Sequence, residues 1–283
     1  MTCAADLRIR AMRPEEIAIA VDWAAGEGWN PGLGDAACFS TVDSHGFLVG
    51  ELDRAPAATI SCLNYDSAFA FLGFYIVRPD LRGRGYGLRI WNAAIAHAGA
   101  RTIGLDGVVA QQQNYRKSGF RLAYANIRYG GSVARTSRPP AGVMPLAAVP
   151  FATVEADDAQ VFPAPRRAFL RAWISALGHI GRALVRDCSL AGWGVIRPCR
   201  RGHKIGPLIA DDRAAAEAVL AALIAAAGAR EIFLDVPSVN DEAVALAQER
   251  ELLPVFETAR MYTGAIRPLT LERVFGVTTF ELG

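Results

Sequence analysis

The chain has 283 residues, a formal net charge of +2 and 52% hydrophobic content. That composition is too apolar for disorder and supplies core enough for one large or two ordinary domains, yet no apolar run reaches the ~18–20 residues of a membrane span. No basic block marks a surface for nucleic acid or an anionic membrane, and residues 1–10 lack the apolar stretch of a signal peptide. The five cysteines include no CxxC pair, and no cysteine–histidine cluster has zinc spacing. Free thiols in a reducing cytoplasm and no metal site are expected.

Residues 7–12 alternate as a first strand. Pro14 stands at a first helical position, Glu15 and Glu16 follow in the first turn, and Ile17, Ala20, Val21 and Ala24 recur at helical spacing. This helix ends near Gly26 in the loop Glu27-Gly28-Trp29-Asn30-Pro31-Gly32. An aromatic, an amide and a carboxylate between glycines and a proline read equally as a ligand-facing wall or as a packed loop plugged by Trp29. Residues 34–41 read as a short helix, and 46–52 and 57–63 as strands joined by a turn. Residues 69–77 form a buried strand, stopped at Arg78-Pro79 because proline lacks an N–H and disfavours helix before it. After the loop Arg82-Gly83-Arg84-Gly85-Tyr86-Gly87 comes an apolar helix carrying Leu88, Ile90, Trp91, Ala94 and Ile95. Residues 102–108 read as a strand, 109–118 as a short helix or turn, and 120–129 as a last strand.

Strand, glycine-rich turn and helix together make a phosphate site, with backbone N–H groups turned inward and a helix N-terminus behind them. A plain turn with two solvated arginines needs one glycine, not three. The dinucleotide fingerprint G-x-G-x-x-G fits Gly83 and Gly85 but meets Leu88 at its third glycine. Arg82-x-x-Gly85-x-Gly87, preceded by Val77-Arg78-Pro79, resembles instead the pyrophosphate loop of the GNAT superfamily of acyl-CoA-dependent N-acyltransferases, R/Q-x-x-G-x-G/A. The order β-α-α-β-β-β-α-β-α-β matches that superfamily, an argument about fold alone.

The resemblance implies that backbone N–H groups of Ile76 and Val77 hold pantetheine and that Arg82, Gly83, Arg84, Gly85, Tyr86, Gly87 and Leu88 hold the pyrophosphate of acetyl-CoA. Tyr115-Arg116-Lys117-Ser118-Gly119-Phe120 resembles the superfamily's Y-x-x-x-G-F, which makes Tyr115 the candidate acid for the departing thiolate. Its phenol, of pKa ≈ 10, suits a thiol of pKa ≈ 8.5; the alternative is a residue packed on Phe120. The usual N-x-x-A before the tyrosine is missing, so Asn114 or Gln111 stands for the asparagine that contacts the cofactor. The strand 69–77 holds no carboxylate to deprotonate an amine. Glu27 and Asp106 come nearest by topology, although Asp106 reads equally as satisfying backbone at a strand end. Tyr75, Trp29 and Asn30 complete the candidate acceptor side.

Residues 132–150 read as a linker, with or without a short terminal strand. Residues 151–283 then repeat 1–131 loosely. Residues 195–198 echo 76–79, Arg201-Gly202 and Gly206 echo the loop glycines, and Leu234-Asp235 echoes Leu105-Asp106. Lys204 falls where Gly85 should be and Ala247 where the tyrosine should be, so the second copy is expected to be degenerate. The expectation is an α/β (α+β mixed-sheet) protein of two tandem GNAT-like domains. The first would bind acetyl-CoA by itself and acetylate a small-molecule amine by direct attack, and the second would act as a lid or acceptor wall. A non-catalytic CoA-binding module is the alternative. A monomer or homodimer is expected.

Overall fold

The computed structural model describes residues 6–134 and 140–283, so Cys3 and residues 135–139 of the expected linker lie outside the described residues. The first half runs β1 (Arg8–Ala11), α1 (Ile17–Gly26), α2 (Asp35–Phe39), β2 (Phe47–Leu52), β3 (Ala55–Asn64), β4 (Phe69–Val77), α3 (Tyr86–Ala98), β5 (Thr102–Val108), α4 (Gln112–Lys117) and β6 (Arg121–Ser132). The second half repeats the series element for element. It runs β7 (Val143–Pro145), α5 (Phe151–Val161), α6 (Arg167–Ser175), β8 (Ile180–Arg186), β9 (Ser189–Pro198), β10 (His203–Ala210), α7 (Arg213–Ala227), β11 (Glu231–Pro237), α8 (Asp241–Glu249) and β12 (Leu253–Tyr262). It then adds β13 (Val274–Gly276) and the segment 277–283. Among the described residues no helix is long and apolar enough to cross a membrane.

This alignment shifts the expected repeat by one strand. β10, not β9, is the counterpart of β4, so Lys204 lies inside a strand and the counterpart of the glycine loop is Asp211-Asp212, between β10 and α7.

Among the described residues one sheet contains every strand, in the order β1-β2-β3-β4-β5-β12-β6-β11-β10-β9-β8-β7, with β13 beside β10. The halves therefore exchange their last strands. β12 pairs antiparallel with β5 of the first half, and β6 pairs antiparallel with β11 of the second. The divisions at 131 and 151 mark a repeat in sequence, but the two stretches share one sheet. Each borrowed strand is fixed by a buried ion pair: Arg128 on β6 donates to Asp235 at 2.6 and 2.8 Å, and Arg260 on β12 to Asp106 at 2.8 and 2.6 Å. Apolar packing also crosses the halves. Phe39 stacks on Trp173 at 6.2 Å in a core cluster that includes Phe74, Trp193 and Phe280.

Parallel β4 and β5 pair only at residues 69–72 with 102–105, then part. A register shift between β3 and β4 accompanies the parting; there Phe74 sits at φ +49° and its carbonyl accepts the Thr59 hydroxyl at 3.0 Å. β10 and β11 part in the same way after residues 203–205 and 232–234. In the second half the gap is filled, because β13 pairs with β10 at Leu208 and Ile209 and Val277 N–H donates to the Asp235 carbonyl at 2.8 Å.

Candidate active site

The gap left open beside β4 is a cavity of about 510 Å³. Its walls are β4 residues 73–77, the glycine loop, the end of β5 and α4, with Phe256, Thr258, Phe280 and Glu281 contributed by the second half.

The glycine loop lies at its edge. Gly83 and Gly85 adopt φ +75° and +83°, and a Cβ on either would touch nothing. Backbone conformation, rather than space, is what demands glycine there. Gly85 caps α3, whose thirteen residues aim an N-terminal dipole and free N–H groups at this rim. The loop thus fits a phosphate. Gly87 and Leu88 line the cavity, and Gly87 leaves room for the Tyr75 hydroxyl, which a Cβ would meet at 2.5 Å. Arg82 lines it too, but its Nε donates to the Val77 carbonyl at 2.9 Å and its guanidinium pairs with Glu27. Two expected residues fall elsewhere. Arg84 is exposed away from the wall, and Tyr86 is buried with Leu7 and Ala57 in the core.

Tyr115 reaches the cavity from α4, its ring stacked 5.7 Å from Trp91 and edge-on to Phe120 at 6.4 Å. Gly107 makes room for that ring, because a Cβ there would collide with it. Packing on Phe120 and facing the cavity therefore coexist. Burial, reinforced by Tyr75, pushes the Tyr115 hydroxyl up to about 12. It keeps its proton at neutral pH and is a donor. Of the two amides considered, Gln111 lines the cavity, whereas Asn114 stays outside and donates to Gln111 at 2.7 Å.

The acceptor candidates divide. Tyr75 and Trp29 line the cavity, while the Trp29 carbonyl accepts from Arg128 at 2.6 Å. Asn30 does not reach it; its amide donates to the Arg201 carbonyl at 3.0 Å and accepts the Arg201 N–H at 3.1 Å, joining the halves. Glu27 and Asp106 line the wall, but each is held by an arginine. Asp106 also accepts from Asn126 at 2.8 Å, so it serves the fold rather than proton transfer. Sequence reasoning missed Phe256, Thr258, Phe280 and Glu281, because no local pattern joins residues 256–281 to a loop near 85.

The counterpart site in the second half is closed. Asp211 and Asp212 replace the glycine loop, and Asp212 caps α7 by accepting the Ala215 N–H at 2.8 Å. Two carboxylates at a helix N-terminus repel phosphate. Asn240, in the N-x-x-A that the first half lacks, donates to the Glu272 and Val274 carbonyls at 2.9 and 3.0 Å. This asparagine therefore holds the protein's own strand. Among the described residues no acid, cysteine and histidine cluster could hold a metal.

Comparison with known proteins bears on the family and the fold. The family model described as Acetyltransferase (GNAT) family matches residues 14–120, and that of an Acetyltransferase (GNAT) domain matches 154–276. The chain is 32% identical over 270 residues to holothin acyltransferase of Pseudoalteromonas sp. (strain SANK 73390), covering 95% of this chain and 92% of that one. A candidate acetyltransferase from Pyrococcus horikoshii superimposes with a TM-score of 0.84 at 23% identity, over 100% of this chain and 98% of that one. A tandem GNAT protein of the clavulanic acid pathway gives 0.63 at 14%, over 94% and 100%. These two structural likenesses speak to the fold alone.

Proposed function

The chain belongs to the GNAT acetyltransferase family, and on that premise we propose that it transfers acetyl from acetyl-CoA to the amine of a small apolar molecule. Transferase activity follows from the family and from the acyltransferase relative; the donor, the acceptor and the residue roles are our reading. The observation that carries it is the open gap beside β4, which joins the glycine loop, Tyr115 and an apolar end in a single cavity. Backbone N–H groups of Ile76 and Val77 would hold the pantetheine as a neighbouring strand, and residues 82–88 the pyrophosphate. Acetyl-CoA supplies an activated acyl carbon with a thiolate leaving group. Tyr115, protonated at neutral pH, gives that thiolate its proton.

The acceptor end supports a small apolar amine, since Trp29, Phe256 and Phe280 are aromatic and the cavity volume is of ligand size. A cytoplasmic setting fits the free thiols of Cys38, Cys62, Cys188 and Cys199. Thermal shift against acetyl-CoA, CoA and NAD, followed by thiol release with a panel of amines, tests the reading. Stabilisation by NAD but not by CoA would overturn it.

A further inference from the structure

Three carboxylates line the cavity, Glu27, Asp106 and Glu281. The first is paired with Arg82 and the second with Arg260. Glu281 has no ion-pair partner among the described residues; one of its oxygens accepts the Thr279 hydroxyl. It is 3% exposed, and it comes from the half whose own cofactor gap is closed.

The closure explains how Glu281 is held. Asn240 and β10 fix β13, and Arg197 and Arg166 then donate to the Thr278 carbonyl and hydroxyl at 3.4 and 2.9 Å. Beyond Glu281, Tyr65 of the first half donates to the Leu282 carbonyl at 2.9 Å. Gly73 of β4 admits the segment, because a Cβ there would collide with the Glu281 carbonyl. The strand that fills one gap thus continues into the wall of the other.

We propose that Glu281 is the general base of the site in the first half. This rests on the transferase reading above. A proton passes from the acceptor ammonium to the Glu281 carboxylate, and the freed nitrogen lone pair forms the N–C bond to the thioester carbonyl. The C–S bond breaks, the thiolate takes the Tyr115 proton, and the second nitrogen proton restores the phenol. Glu281 releases its proton to solvent, so the products are amide, thiol and one proton. The charged groups facing Glu281 are Lys204 on β10 and Arg128 on β6, each of which also faces Asp235 on β11 and Cys199.

The test is Glu281→Gln, assayed for acetyl-CoA binding by calorimetry and for thiol release with benzylamine, tyramine and ethanolamine between pH 6 and 10. Expected are unchanged acetyl-CoA affinity and a rate lowered ~10²-fold or more at pH 7. The deficit should shrink toward the amine's own pKa, where the acceptor arrives deprotonated. A wild-type rate at pH 7, or a deficit equal at every pH, overturns the proposal. If Glu281→Gln does not fold, Glu281→Asp takes its place; it keeps the carboxylate, so it should keep the wild-type pH profile at a lower rate, and here a wild-type rate or a deficit that vanishes at high pH overturns the proposal. Failure of both to fold assigns Glu281 to structure and also overturns the proposal. A wild type that binds acetyl-CoA but releases no thiol with any of the three amines overturns the transferase reading itself, and this role with it.

Discussion

Arg260 grips Asp106 through two parallel hydrogen bonds, 2.8 Å from Nε to Oδ1 and 2.6 Å from Nη2 to Oδ2, across 154 residues of chain. Burial disfavours the guanidinium charge, but Asp106 outweighs it and holds Arg260 well above its ordinary pKa. Breaking one side of such a pair leaves an uncompensated buried charge, at a cost of about 3–5 kcal/mol. Asp106→Leu is expected to lower the urea midpoint sharply, and Asp106→Leu with Arg260→Met to recover most of the loss. A single variant that unfolds at the wild-type midpoint would show that the pair does not hold the exchanged strand.

The exchange also governs dissection. A chain cut after Gly131 lacks β12, so β5 and β6 lose their shared neighbour and Asp106 and Arg128 lose their partners. Residues 1–131 alone are expected not to fold as a monomer, contrary to the expectation from sequence that they carry the CoA site by themselves. Co-expression of the two halves should restore a stable complex. A monomeric, cooperatively unfolding 1–131 fragment that binds CoA would contradict this.

One acetyl-CoA per chain is expected by calorimetry, since the second gap is filled by β13 and faced by Asp211 and Asp212. Gly85→Glu should abolish that binding. It forces a side chain onto a residue at φ +83° and sets a negative charge against phosphate. Unchanged affinity would remove the pyrophosphate from this loop.

Tyr115→Phe keeps the ring packed on Trp91 and removes only the hydroxyl. Acetyl-CoA affinity should hold while the rate falls ~10²-fold, the usual scale for a lost general acid. An unaltered rate would mean that water protonates the thiolate.

His179 offers a pH signature. Burial, with Arg197 adding to it, lowers its imidazole from 6.5 to about 4. A base held neutral by the fold contributes stability that is fully present above its unfolded pKa and lost as pH falls through the folded one. Stability should therefore decline between pH 6.5 and 4, with His179 accounting for about 3 kcal/mol of the decline. His179→Asn keeps a donor for the Trp173 carbonyl, which now accepts from Nδ1 at 2.8 Å, and should flatten that part of the curve. An identical pH dependence in the variant would refute the assignment.

The glycines at 83 and 85, Pro79 and the apolar strand 69–77 determine the loop through φ, a missing N–H and burial, which are properties of a few adjacent residues. Element order and the cavity-facing Tyr115 were legible for the same reason, whereas the second loop expected around Lys204 lies inside β10 and its counterpart is Asp211-Asp212. Asn114, Tyr86 and Asn30 were misplaced because sequence spacing gives a residue's element but not the direction of its side chain.

By itself, then, the sequence determined which segments form strands and helices and where a phosphate can sit, since those follow from local periodicity and backbone freedom. Only the tertiary structure decided that β6 and β12 change places, that β13 closes the second gap and that Glu281 enters the first. The strand exchange and the entry of Glu281 join residues more than a hundred positions apart, and β13 reaches β10 across intervening helices and strands, through buried charge pairs and sheet hydrogen bonds that leave no periodic trace along the chain.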